Sequence, residues 1–190
     1  LDRFATSLGH RFVYKPLPIR RLTQAHLAGE VDLIFPDEPH WQAGLKQGKA
    51  LLYSGDIVTF HDVIMVKPHR LGQALKSVGI VRGFTAWKLK PEIDRGEIRQ
   101  ELAQSPDKLL RMVLMDRVDG ANIALEVARY QLGQLGQLDA LQADLKQLPL
   151  RASHYRASSL RHPELIRALS DFLIREADAI KTLRASYGLE

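Results

Sequence analysis

HLAGEVDLIF at residues 26–35 and VLMDRVDGANI at residues 113–123 are two versions of one pattern. In each, an apolar helical stretch stops at a break residue, Gly29 in the first and Asp116 in the second. A Val-Asp pair, Val31-Asp32 or Val118-Asp119, then opens a short apolar strand. Glycine enters the left-handed conformation that ends a helix at little steric cost, and Asp tolerates it less well. The apolar residues that follow suit a buried strand. A helix-to-strand joint used twice predicts two similar α/β lobes in one chain.

The flanking sequence continues the alternation. Leu1, Phe4, Ala5 and Leu8 have helical spacing and stop at Gly9, and Phe12 and Tyr14 alternate with Arg11 and Lys15. This predicts a strand over 10–17, ended by Pro18. A helix over 19–27 and a strand over 31–35 follow. Residues 36–48, with Pro36, Pro39, Gly44 and Gly48, read as a loop. Strands are predicted over 51–54 and 57–67, the second long enough to link two lobes. After Pro68 come a helix over 71–76, a strand over 78–81, a turn at Arg82-Gly83 and a helix from about Thr85. Residues 106–115 read as a helix with Ser105 as its cap and Pro106 at its first position. A strand over 118–123 and a helix over 124–132 follow, and QLGQLGQL at 131–138 reads as a loop because its glycines disfavour a helix. A strand over 149–158 precedes a helical tail over 162–187 that begins at Pro163.

Composition narrows the class. A chain of 190 residues suffices for one domain or two small lobes with a sizeable core. No apolar run approaches the roughly 20 residues that a membrane span requires. No charged leader with a cleavage site occupies the first residues, so a secretory signal is expected ahead of Leu1 if anywhere. Cysteine is absent, which excludes disulfides, thiol catalysis and Cys-ligated metals. The net charge is +5, but Arg20-Arg21 is the only adjacent basic pair and no basic stripe is interleaved with aromatics. That pattern is a solvated basic surface and predicts no nucleic-acid partner.

Five segments carry a resemblance in order and spacing: GEVDLIF (29–35), LLYSGDIV (51–58), VGIVRGFTAW (78–87), DRVDGANIALEVARY (116–130) and HPELIRALSDFLIREADAIKTLRASYG (162–188). Together they resemble the type-2 periplasmic solute-binding proteins, in the branch (family 3) of amino-acid-binding components of bacterial ABC transporters. The resemblance covers nearly the whole chain. It implies an α/β fold of two lobes joined by two crossing strands, with ligand held in a cleft. Lobe one would comprise residues 1–60 and 159–190, and lobe two residues 61–158. It also implies a strand ahead of the first helix, and hence residues before Leu1. The expected function is extracytoplasmic capture of a small polar solute for an inner-membrane transporter permease or a sensor, without cofactor, metal or catalysis. An effector-sensing domain of a transcription regulator and a dehydratase-like enzyme are alternatives on the same fold.

The resemblance places candidate ligand-binding residues. Tyr53, Ser54 and Asp56 stand where the family has an aromatic-Ser-x-Pro-Tyr segment. In Arg82-Gly83-Phe84-Thr85, Gly83 allows a sharp turn and Thr85 offers a hydroxyl and an amide at the expected helix start, although an ordinary Thr cap reads the same way. Trp41 is a pocket wall or a lid over the core, and Asn122 is a neutral candidate. Two family features are missing. The Arg that pairs with a ligand carboxylate has only Lys46 and Lys49 in its region, and the position of the amine-holding Asp is Ala124. Lys lacks the planar fork of Arg, so ordinary amino acids are expected to bind poorly. Asp37, Glu38 and His40 lack metal-ligand spacing and read as a solvated loop. Asp32 and Asp119 read as structural, bonding turn amides at the two joints. His61, His69, His154 and His162 have no nucleophile at catalytic spacing.

Overall fold

The computed structural model describes residues 1–148 and 152–186. In chain order the elements are α1 (Asp2–Ser7), α2 (Ile19–Leu27), β1 (Ile34–Asp37), α3 (Ala43–Lys46), β2 (Leu52–Tyr53), β3 (Val58–Val66), β4 (Ser77–Val81), α4 (Lys90–Asp94), β5 (Arg99–Ala103), α5 (Pro106–Leu114), β6 (Gly120–Ala124), α6 (Leu125–Gln134), β7 (Gln142–Ala143), β8 (Ala152–Ser159), α7 (Pro163–Arg175) and α8 (Ala177–Ser186), with 3₁₀ turns at Pro68–Arg70 and Trp87–Leu89. The chain forms two compact units, Leu1–Thr59 with His154–Glu190, and Phe60–Ser153. It passes from the first to the second inside β3 and returns inside β8.

Both joints close in the same way. Gly29 has φ 77° and Asp116 φ 56°. At the first, Glu30 N–H donates to Ala25 O (2.8 Å); at the second, Arg117 N–H donates to Met112 O (2.9 Å). Each is the six-to-one hydrogen bond of a Schellman cap. The cap uses up residues after the helix, so β1 and β6 begin at Ile34 and Gly120, later than the strands predicted over 31–35 and 118–123. His26, which opens the first copy, is 1% exposed. Its Nδ1–H donates to Val31 O (3.4 Å) across the joint, and burial lowers its pKa.

In unit 1, β8 lies between β1 and β2 and pairs antiparallel with both, Ser158 standing opposite Ile34 on one side and Tyr53 on the other. Ile166, Leu169 and Phe172 recur along one stripe of α7 and pack with Phe4 and Ala157. Unit 2 is a sheet whose parallel core runs β6-β4-β5, with β3 antiparallel to β6 and β7 antiparallel to β3. The side-chain period of two sends Val63 and Met65 to a core with Leu109, Leu110 and Val113 of α5 and Ala128 of α6. Ile64 and Val66 go to the opposite core with Ala86, Leu89 and Ile93. The connection after β4 therefore covers one face and those after β5 and β6 the other.

Several sequence expectations are corrected. Residues 10–17 form no strand. Pro16 and Pro18 lack N–H groups, Val13 is 77% exposed, and Phe12 instead packs on Phe4 with ring centroids 6.2 Å apart. Residues 71–76 are not helical, and Gly72 N–H donates to Asp144 Oδ2 at 2.7 Å. No helix starts at Thr85, because the 3₁₀ turn begins at Trp87 and α4 at Lys90. The loop expected over 36–48 contains α3. The glycine-containing stretch 131–138 is helical as far as Gln134. Leu132 is 1% exposed in the core and holds that last turn, and Gly136 at φ 65° caps it. Ser105 occupies the cap position of α5, but its hydroxyl donates to Asp107 Oδ1 (2.5 Å) rather than accepting a helix amide. The tail breaks at Glu176 between α7 and α8. Residues 149–151 of the strand predicted over 149–158 and Tyr187 of the tail lie outside the described residues.

Candidate functional site

Parallel β4 and β6 are neighbours, and the chain leaving each turns to opposite faces of the unit-2 sheet. Such a switch point leaves a crevice outside the carboxyl ends of the strands, where open α/β sheets bind ligands. Because β3 runs antiparallel to β6, its first residues reach the same edge, with Asp62 directly opposite Ala124. The edge thus gathers His61 and Asp62 from β3, the turn 82–86 after β4 with Trp87 and Lys88 behind it, and Asn122 and Glu126 at the end of β6 and the start of α6.

These side chains form a hydrogen-bonded cluster. Asn122 Nδ2 donates to Asp62 Oδ1 (2.7 Å) and Val63 O (3.2 Å). Lys88 Nζ stands 3.8 Å from Asp62 Oδ2, both side chains 14% exposed, and 5.2 Å from the centroid of the Trp87 ring. His61 N–H donates to Glu126 Oε2 (3.2 Å) and its Nδ1–H to Oε1 (2.7 Å). Burial pushes the Asp62 carboxyl up to about 6, outweighing the pull of Lys88 and the Asn122 hydrogen bond.

That shift gives a pH prediction with a definite sign. The unfolded carboxyl titrates near 3.8 and the folded one near 6. Between these values the folded state holds a proton that the unfolded state has released. The stabilisation from this group is complete below about pH 3.8 and is lost as pH rises through about 6. The stability difference between Asp62→Asn and the parent is therefore expected to move by about 1–3 kcal/mol in the variant's favour from pH 4 to pH 7. Urea titrations of both proteins across this range test it, and a pH-independent difference would refute it.

The unit-1 candidates each make contacts inside unit 1. Ser54 is 5% exposed; its Oγ donates to Gly55 O (2.8 Å) and accepts from Ala157 N–H (3.0 Å). Asp56 accepts from Arg156 Nε (2.7 Å) and lies 3.3 Å from His154 Nδ1. Trp41 is 8% exposed and meets Tyr155 edge-on at 5.5 Å. Burial, reinforced by Asp37 and Glu38, raises the pKa of the Tyr53 phenol, whose ring lies 5.5 Å from Lys46 Nζ.

The expected solvated loop around Asp37 is a buried network. Asp37 is 2% exposed and its Oδ1 accepts from Lys46 Nζ at 2.5 Å, while its Oδ2 accepts from Ser158 Oγ at 2.6 Å. Lys46 is thereby spent on an internal pair. Asp119 is structural as expected, though the amides it holds, Lys76 and Ser77 (2.8 and 2.9 Å), belong to the start of β4 rather than to its own turn. Asp32 binds no turn amide; its carboxylate accepts from Arg161 Nη2 (2.6 Å) and His162 Nε2 (3.2 Å). No group of side chains suited to a metal ion occurs among the described residues. No helix among them is long and apolar enough to cross a membrane.

No protein-family model matches the sequence, and no curated relative does. The fold, however, matches solved structures over nearly the whole chain. The substrate-binding protein of an amino acid ABC transporter superposes with TM-score 0.72 at 15% identity, over 96% of this chain and 82% of its own. A histidine kinase sensor domain with similarity to periplasmic binding proteins superposes with TM-score 0.73 at 17% identity, over 98% and 82%. The chain has the two-lobed fold of the type-2 periplasmic solute-binding proteins. An ancestral amino acid-binding protein, a precursor of cyclohexadienyl dehydratase, has TM-score 0.71 at 16% identity, over 96% and 80%.

Within this solute-binding-protein fold, the sequence candidates separate by place. Arg82, Gly83, Phe84, Thr85 and Asn122 gather at the carboxyl edge of the unit-2 sheet, Arg82 and Phe84 exposed and Thr85 half-buried. Trp41, Tyr53, Ser54 and Asp56 lie in unit 1. Sequence reasoning missed Asp62, Lys88 and Glu126. The available signal was Asp62 itself, a carboxylate at the head of the buried run Val63–Val66. Nothing local marked Lys88.

Proposed function

We propose that this protein binds a small polar solute, outside the cytoplasm, and presents it to an inner-membrane transporter or reports it through a sensor. The observation that carries this reading is the polar cluster of Asp62, Lys88, Asn122 and the turn 82–85 at the switch point of unit 2. The likeness in fold to an amino acid transporter's binding protein and to a kinase sensor domain supports it. Trp41, Tyr53, Ser54 and Asp56 remain ligand-binding candidates within unit 1, and the role is binding rather than turnover. The enzyme reading has one observation in its favour, the His61–Glu126 pair at 2.7 Å beside the protonatable Asp62.

With Ala124 uncharged and Lys46 held by Asp37, ordinary α-amino acids bind weakly and another polar or anionic solute binds better. Thr85→Val removes one donor from the turn and weakens binding by about 1–3 kcal/mol without unfolding the protein. A calorimetric screen of amino acids, organic acids, amides, polyols and amines, repeated on the variant, tests both halves. Micromolar binding of a common amino acid that Thr85→Val leaves unchanged contradicts this assignment of the turn. No binding across the screen contradicts the function, and conversion of a bound solute to product would move the protein to the enzyme class.

A further inference from the structure

The side chain of Lys88 presents an unusual balance. Its Nζ is buried and makes no hydrogen bond to any described residue. The nearest carboxylate oxygen, Asp62 Oδ2, stands at 3.8 Å, within ion-pair range but beyond hydrogen-bond length, and Asp62 Oδ1 is occupied by Asn122 at 2.7 Å. The Trp87 face at 5.2 Å contributes a cation–π attraction but accepts no conventional hydrogen bond. An ammonium has three donors and no acceptor, and burying them unmet is costly, so such a group calls for a specific explanation.

The neighbours indicate which partner would complete it. Both carboxylates of the cluster are already engaged, Asp62 by Asn122 and Lys88, and Glu126 by His61 through two hydrogen bonds. Of their four oxygens only Asp62 Oδ2 takes no hydrogen bond from a described residue, and it already faces the Lys88 ammonium at 3.8 Å. The cluster's unfilled capacity is that of the Lys88 donors, and the exposed Arg82 adds positive charge at the same strand edge. Asp62 serves as the resident counter-ion that makes an otherwise isolated buried ammonium tolerable.

We infer that Lys88 is a ligand-contacting residue whose ammonium receives an anionic oxygen of the solute, and that the solute is a small organic carboxylate that needs no amino group. This rests on the solute-binding reading and adds the chemical class. The ligand oxygen takes hydrogen bonds from Nζ that Asp62 is too distant to take.

The test compares short carboxylates (acetate, lactate, pyruvate, succinate) with their neutral amides, using thermal shift followed by calorimetry. The parent protein is set against Lys88→Met and Lys88→Arg, and urea unfolding checks that each variant is folded. At least one carboxylate is expected to bind and its amide to fail. Lys88→Met should weaken the carboxylate about 10- to 100-fold, and Lys88→Arg, which keeps the charge, should retain part of the affinity. Equal binding of acid and amide, or carboxylate affinity unchanged in folded Lys88→Met, overturns the inference. So does a parent protein that binds no carboxylate. In that last case a neutral or cationic ligand found in the broader screen leaves solute binding standing and reduces Lys88–Asp62 to a structural ion pair. If Lys88→Met does not fold, failure of folded Lys88→Arg to distinguish acid from amide overturns the inference equally.

Discussion

Replacing Asp37 by Ala is expected to destabilise unit 1 by about 3–5 kcal/mol, a large share of the roughly 5–15 kcal/mol that holds a typical domain together. The carboxylate accepts from Lys46 Nζ (2.5 Å), Glu38 N–H (2.8 Å) and Ser158 Oγ (2.6 Å), and so ties β1 to α3 and β8. Lys46 is 8% exposed and also donates to Glu38 O at 2.8 Å. Without Asp37 its charge is left buried with a single carbonyl. The pair itself contributes far less than this loss suggests, because its desolvation nearly offsets its attraction. The double variant Asp37→Leu/Lys46→Met should therefore recover most of the stability. Urea titrations of the two proteins decide it: a loss below about 1 kcal/mol for Asp37→Ala would mean that the long Lys46 stem swings its charge to solvent instead.

The second large effect is expected where α5 crosses β4. Leu109 is fully buried, and a Cβ built on Gly79 would stand 2.5 Å from its Cδ1, closer than packed side chains allow. Leu109→Ala leaves a cavity and should cost about 2–5 kcal/mol. Gly79→Ala should cost about 1–3 kcal/mol by overpacking. The new methyl in the second variant occupies space vacated in the first, so the double variant should be more stable than the sum of the two losses implies, by about 0.5–3 kcal/mol. Strict additivity in a double-mutant cycle would show that α5 shifts away from the sheet instead of packing against this glycine.

Much of the architecture was legible in local sequence because its causes are local. A helix that ends in the left-handed region must be followed by a turn and then a new element, so Gly29 and Asp116 marked both joints before any tertiary information was used. The long strand 58–66 and the α5 helix behind Pro106 follow from apolar periodicity and the proline rule in the same way. Local signals failed where a partner was required. Residues 10–17 carry strand-like alternation but join no sheet among the described residues. The glycines of 131–138 carry a loop signal that the burial of Leu132 overrides.

The candidate site divides along the same line. The turn 82–85 and Asn122 stood out by residue type and by the order of motifs around them. Their companions did not, because Asp62 and Lys88 are distant in sequence from Asn122 and from each other. Only strand register sets Asp62 opposite Ala124, and only the 3₁₀ turn brings Lys88 within 3.8 Å of it. For Lys46 the composition of 36–48 suggested solvent, while the packing of β1 against β8 enclosed Asp37 and drew the ammonium inward. Periodicity, caps and breakers, which act over a few residues, determined the elements and their order. Which charges are buried, paired or left with donors to fill depends on long-range burial and strand register, and that the tertiary structure alone decided.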